Sequence, residues 1–87
     1  MRYLATKDVL FQSFENEGIL LNLATAEYYR LNELGLTIWS LVERGHDVDA
    51  ITDSLLETYD VAREQIRTDL TRFLDQLVEL KLARLEP

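Results

Sequence analysis

Residues 20–32 read Leu-Leu-Asn-Leu-Ala-Thr-Ala-Glu-Tyr-Tyr-Arg-Leu-Asn. Leu-Asn stands at 21–22 and again at 31–32, with a small-residue stretch and two adjacent tyrosines between. Ala24-Thr25-Ala26 separates the apolar run Ile19–Leu23 from Glu27–Leu31, whose aromatic content and length suit a strand. Upstream, Val9–Phe14 is a β-prone run closed by the turn residues Glu15-Asn16-Glu17-Gly18. Three antiparallel strands in meander order follow, the third at an edge.

Downstream of the same stretch the period changes from two to 3.6. Asn32 is suited to cap a helix, with Leu31 before it placed to staple onto Leu36. The spacing predicts a helix from Glu33 to Arg44 with Leu34, Ile38, Trp39, Leu41 and Val42 mostly on one side, and Gly45 as its left-handed stop. Gly35, in the first turn, allows close approach of a strand. Asp47 caps a second helix over Val48–Tyr59, with Ile51, Leu55 and Leu56 inward. A third helix over Arg63–Leu80 carries Ile66, Leu70, Phe73, Leu77 and Leu80 as its core stripe, widened by Leu74 and Val78. Leu82–Leu85 adds a short extended tail against the sheet. The expected fold is α+β of winged helix-turn-helix type: a three-stranded antiparallel sheet followed by three helices, one domain over residues 1–87.

Composition narrows the function. Eighty-seven residues, 47% of them hydrophobic, with three Gly and one Pro, fit one ordered core. The absence of Cys removes disulfides, thiolate metal sites and Cys nucleophiles together, and fits a cytoplasmic setting. No apolar run reaches signal-peptide or membrane-spanning length. Sixteen acidic against nine basic residues give a net charge of −7, which repels polyphosphate and anionic lipid, so neither nucleic acid nor membrane is an expected partner.

Catalytic constellations are sparse. His46-Asp47-Val48-Asp49, with Asp53 nearby, invites a metal reading, but a polar loop and helix cap explain these residues more simply. Ser13, Ser40 and Ser54 lack any sequence sign of an activating base, and there is no Gly-rich phosphate loop. The reading is a non-enzyme without metal or cofactor. A winged helix also suggests DNA. Over residues 62–81, however, Arg63, Arg67, Arg72 and Lys81 are balanced by Glu64, Asp69, Asp75 and Glu79, whereas a helix held on phosphates is distinctly basic.

The free edge of the third strand offers main-chain hydrogen bonds to an incoming strand, and an apolar groove towards the third helix would select its side chains. Against this stands the plain reading that tyrosines are common in strands and at interfaces.

Gly18-Ile19-Leu20-Leu21-Asn22, Tyr28 through Gly35, Ile38-Trp39, and later Asp69-Leu70, Phe73-Leu74 and Leu77 together resemble the PqqD-like family, the precursor-peptide recognition elements of ribosomally made, modified peptide natural products. The resemblance covers roughly residues 8 to 83. It implies a leader segment bound as an added antiparallel strand between the third strand and third helix. The run from Tyr28 to Gly35 followed by Ile38-Trp39 looks like the stand-alone elements of lasso peptide pathways, which work beside a separate leader peptidase that supplies the catalytic cysteine, or deliver the precursor to another modifying enzyme. Two departures stand out: Ala24-Thr25-Ala26 lacks the glycine often found in the second turn, and Ala62 occupies the position of a Ser or Asp cap.

For the groove, the strand residues Tyr28, Tyr29, Arg30 and Leu31 are the candidates, together with Arg67, Leu70, Thr71, Leu74 and Val78 from the helix, where 67, 71, 74 and 78 form a stripe beside the core stripe. Arg63 and Arg67 are placed to pair acidic leader residues, although a solvated face suits Arg63 equally well. Two classes of function remain: a peptide-recognition module, and a winged-helix DNA-binding or transcriptional accessory domain.

Overall fold

The computed structural model describes residues 2–86. In chain order the elements are β1 Arg2–Ala5, β2 Val9–Phe14, β3 Glu17–Asn22, β4 Tyr28–Leu31, α1 Glu33–Glu43, α2 Val48–Leu56, α3 Arg63–Glu79 and β5 Ala83–Glu86. The sheet β2-β3-β4 is the expected antiparallel meander, with β4 at its edge, and the three helices follow it as an α+β fold.

The two Leu-Asn pairs of residues 20–32 do different work. Asn22, 4% exposed, accepts through Oδ1 from the backbone N–H groups of Ala24 and Thr25 at 2.8 and 3.1 Å, and so builds the β3–β4 turn. That turn places Ala26 at φ 65°, the left-handed region glycine fills more cheaply, which accounts for the missing glycine without removing the turn. Asn32 instead caps α1, its Oδ1 accepting from Gly35 N at 2.8 Å. Asp47 caps α2 in the same way through Ala50 N. Ala62 opens α3 with no side-chain cap bond.

Two expectations need correction. The C-terminal tail does not join the three-stranded sheet. It forms β5, which pairs antiparallel with β1, a strand absent from the sequence reading, in a separate two-stranded sheet. The cause lies at Lys81, whose φ of 60° turns the chain after α3. Its carbonyl accepts from Asn22 Nδ2 at 2.6 Å and Thr6 Oγ1 at 2.8 Å, bonds that fix where the tail leaves. A two-stranded ribbon is marginal alone; here Tyr3 buries its ring at 2% exposure and its hydroxyl donates to Asp75 Oδ1 of α3 at 2.6 Å. Secondly, α2 ends at Leu56, not Tyr59, because the N–H groups of Thr58 and Tyr59 both close onto the Leu55 carbonyl.

The core is continuous across sheet and helices: Leu20 and Leu31 from the sheet, Trp39 from α1, Ile51 from α2, Leu70, Leu74 and Leu77 from α3, and Leu82 are all buried.

Candidate functional site

The register of the meander determines which backbone groups of β4 are free. Asn22 N donates to the Glu27 carbonyl at 2.8 Å, and Leu23 N donates to the Asp8 carbonyl on the other side of β3. Antiparallel pairs alternate between bonded and non-bonded, so Leu20↔Tyr29 and Gly18↔Leu31 exchange the bonds of the β3–β4 ladder. The N–H and C=O groups of Tyr28 and Arg30 therefore point outward from the edge, ready to pair with a further strand.

Beside that edge lies a cavity of about 370 Å³. Tyr29, Arg30 and Leu31 of β4 form one wall, and Ile66, Asp69, Leu70 and Phe73 of α3 face them. Asn32, Leu34, Gly35 and Ile38 of the α1 start, with Leu55, Tyr59 and Val61 from α2 and the α2–α3 connection, complete the lining. The floor is buried, with Leu31, Ile38 and Leu70 at 1%, 4% and 2% exposure, while Leu34, Tyr59 and Val61 form an exposed apolar rim.

Local sequence sets this geometry. Gly35 permits the close approach expected of it, since a Cβ there would stand 3.3 Å from Leu31 Cδ2 and 3.5 Å from Phe73 Cζ, at the junction of strand, cap and helix. Tyr29 bridges β4 to α3: its ring meets Phe73 edge-on at 5.9 Å between centroids, and its hydroxyl lies 3.4 Å from Gln76 Oε1. Of the charged residues at the cavity, Asp69 is exposed and accepts from Gln65 at 3.0 Å, while Arg30 turns its side chain to the outer face of the sheet, where it donates to Glu17 at 2.9 Å.

Of the residues singled out by sequence, Tyr29, Arg30, Leu31 and Leu70 come together at the cavity. Tyr28 lies on the same strand but projects to the outer sheet face and is 64% exposed. The stripe 67, 71, 74 and 78 does not face β4. Arg67 pairs with Asp49 of α2, Thr71 belongs to the polar outer surface of α3 with Arg67 and Asp75, Leu74 is 0% exposed in the core, and Val78 packs against the core. The flank of α3 turned to β4 is 69, 73 and 76. Arg63 bonds to Asp53, which raises its pKa further, and contacts Asp49. The sequence reading missed Leu34, Ile38, Leu55, Tyr59, Val61, Ile66, Asp69 and Phe73 as lining residues. Val61 carried a signal: an apolar side chain between the expected second and third helices, outside any helical stripe.

A small α+β domain with a free strand edge over an apolar cavity is the architecture of a β-augmentation binder. The chain belongs to the PqqD family: residues 17–83 match the model of coenzyme PQQ synthesis protein D (PqqD). Among solved structures it is similar to TbiB1 in complex with the TbiA(beta) leader peptide, at 31% identity over 97% of this chain and 98% of that one, with a TM-score of 0.91. A lasso peptide synthetase B1 complexed with the leader peptide shares the fold, at 20% identity over 98% of this chain and 100% of that one, with a TM-score of 0.88. Among curated proteins none matches.

Proposed function

We propose that this protein is a recognition element that binds the leader segment of a ribosomally synthesised precursor peptide, in lasso peptide biosynthesis, and delivers it to a separate leader peptidase or other modifying enzyme in the cytoplasm. The leader adds as an antiparallel strand along β4, bonded through the outward groups of Tyr28 and Arg30, and its alternate apolar side chains enter the cavity against Phe73 and Leu70. The chain contributes binding and presentation, and the partner contributes the covalent chemistry. The observation that carries this reading is the free edge of β4 directly above an apolar cavity of about 370 Å³, in a chain similar to a protein solved with a leader peptide on it. The DNA-binding alternative is not favoured, because Arg63 and Arg67 of α3 are engaged by Asp53 and Asp49.

Calorimetric titration with the leaders of precursor genes neighbouring its own, and with the TbiA(beta) leader, tests the reading. Micromolar or tighter binding to one peptide of about 10–20 residues is expected, since strand addition with apolar anchors must exceed an ordering cost of about 2–5 kcal/mol. N-methylation along the bound peptide should give losses that alternate, each large one about 1–3 kcal/mol, at the residues opposite Tyr28 and Arg30. No binding to any of these peptides, or losses spaced by three and four as for a helical ligand, would sink strand addition.

A further inference from the structure

The sheet has a second face that the cavity does not use. Register places Leu10, Leu21 and Tyr28 in one row across β2, β3 and β4, and Gln12, Ile19 and Arg30 in the next. These residues alternate with the core-facing rows, so both rows lie on the face turned away from the helices. Leu10 is 45% and Tyr28 64% exposed, an apolar row left in water. In the neighbouring row Arg30 is the cation of β4, and it donates one guanidinium nitrogen to Glu17 while its side chain remains 68% exposed. An arginine has five N–H donors, so most of its capacity is unspent.

Resting on the strand-addition reading above, we infer that this outer face reads the leader as well, selecting the side chains that point away from the cavity. A fourth strand beside β4 continues both rows by one residue each. Opposite Tyr28, the row Leu10–Leu21–Tyr28 favours an aromatic or branched apolar side chain, because cross-strand neighbours of that kind stabilise one another. Opposite Arg30, the row favours a carboxylate, which reaches the guanidinium from the side that Glu17 leaves free. In the antiparallel direction the leader passes Leu31, Arg30, Tyr29 and Tyr28 in that order. Its preferred tetrad is therefore apolar, acidic, apolar, aromatic or apolar, the first and third side chains entering the cavity and the second and fourth lying on the outer face. The protein's charge of −7 disfavours acidic peptides generally, so an acidic residue at that one place would be a local reading of Arg30 and not a consequence of overall charge.

The test is selection of a random dodecapeptide library, displayed on its encoding messenger RNA, against the full chain and its Arg30→Glu and Tyr28→Thr variants. Both substitutions fall on exposed side chains, and Thr keeps the strand preference of the site. The wild type should enrich the tetrad with its acidic second position. Arg30→Glu should turn that position basic, and Tyr28→Thr should erase the preference at the fourth position alone. Synthetic peptides of the enriched tetrad with Glu replaced by Lys should bind the wild type about three- to tenfold more weakly and recover on Arg30→Glu, the size expected of a cross-strand charge reversal. Two apolar positions spaced by two with no selection at the second and fourth, or selection unmoved by either variant, would overturn the outer-face reading and leave strand addition standing. Enrichment of no alternating apolar pair would overturn both.

Discussion

The two flanks of α3 are built from the same helix and end in opposite conditions. On one, β1 has already supplied a strand: Tyr3 buries its ring and bonds to Asp75, and β5 completes the ribbon. On the other, β4 reaches α3 through Tyr29, whose ring meets Phe73, and beside this contact an apolar cavity lies under a strand edge that has no partner among the described residues. One flank is completed from within the chain. The other is left for something outside it. What separates them is not hydrophobicity but whether the space beside the helix is filled from within the chain, and the course of the chain there depends on the turns at Asn22 and Lys81.

The largest effect should come from two residues adjacent in sequence, one in the core that both flanks share and one on the open flank. Leu74 is 0% exposed and belongs to the core shared by both flanks, so Leu74→Asp leaves a carboxylate unpaired in the interior. A loss on the order of 3–5 kcal/mol is expected, comparable to the whole stability of a small domain. Phe73 is half-buried on the open flank, and Phe73→Asp should keep a cooperative melt by circular dichroism while weakening leader binding by at least about a hundredfold, roughly 2.7 kcal/mol. If Leu74→Asp stays folded and merely loses affinity, the core and the cavity are not separate compartments.

How far this was legible in the sequence follows from the same helix. The stripe Ile66, Leu70, Phe73, Leu77 is set by a period of 3.6 and was readable, as were the meander and the caps at Asn32 and Asp47. Periodicity gives a helix its buried face but does not say which neighbour stands to its left or right. That is why the sequence alone favours 67, 71, 74 and 78 for the groove, while β4 lies beside 69, 73 and 76. β1 was illegible for another reason. Four residues, Arg2-Tyr3-Leu4-Ala5, are too few to show alternation, and their strand state rests on a partner more than seventy residues away.

The closed flank should answer to pH through Tyr3. Burial, then the hydrogen bond to Asp75 and its charge, push the Tyr3 phenol up to about 12, against an ordinary value of about 10. The unfolded chain therefore gives up this proton first as pH rises. The associated stabilisation is complete below about pH 10 and is lost as pH climbs towards 12, on the order of 2 kcal/mol in all. Tyr3→Phe should cost about 1 kcal/mol at neutral pH, flatten the alkaline loss of stability followed by chemical denaturation, and leave leader affinity unchanged. A fall in affinity as large as that of Phe73→Asp would mean the two flanks are coupled through α3.

The smallest effect is the one that most directly sets the structure against the pattern of the sequence. Arg67 and Thr71 were candidates for contacting the peptide because they lie one step from the core stripe, yet α3 turns them towards α2 and solvent. Arg67 is about half exposed and its pairing with Asp49 is a surface ion pair, a kind worth little once salt and side-chain entropy are counted. Arg67→Ala and Thr71→Ala should therefore each change leader affinity by less than about twofold, well under 1 kcal/mol, and shift the melting temperature by no more than a few degrees. Calorimetry at low and at physiological salt distinguishes the outcomes. If Arg67→Ala loses affinity at low salt and recovers none of it as salt is raised, the arginine touches the peptide, and the bound strand must run past Asp69 around α3 onto the face that this structure assigns to solvent. An unchanged affinity at both salts confines the peptide to the flank of α3 that carries Asp69 and Phe73.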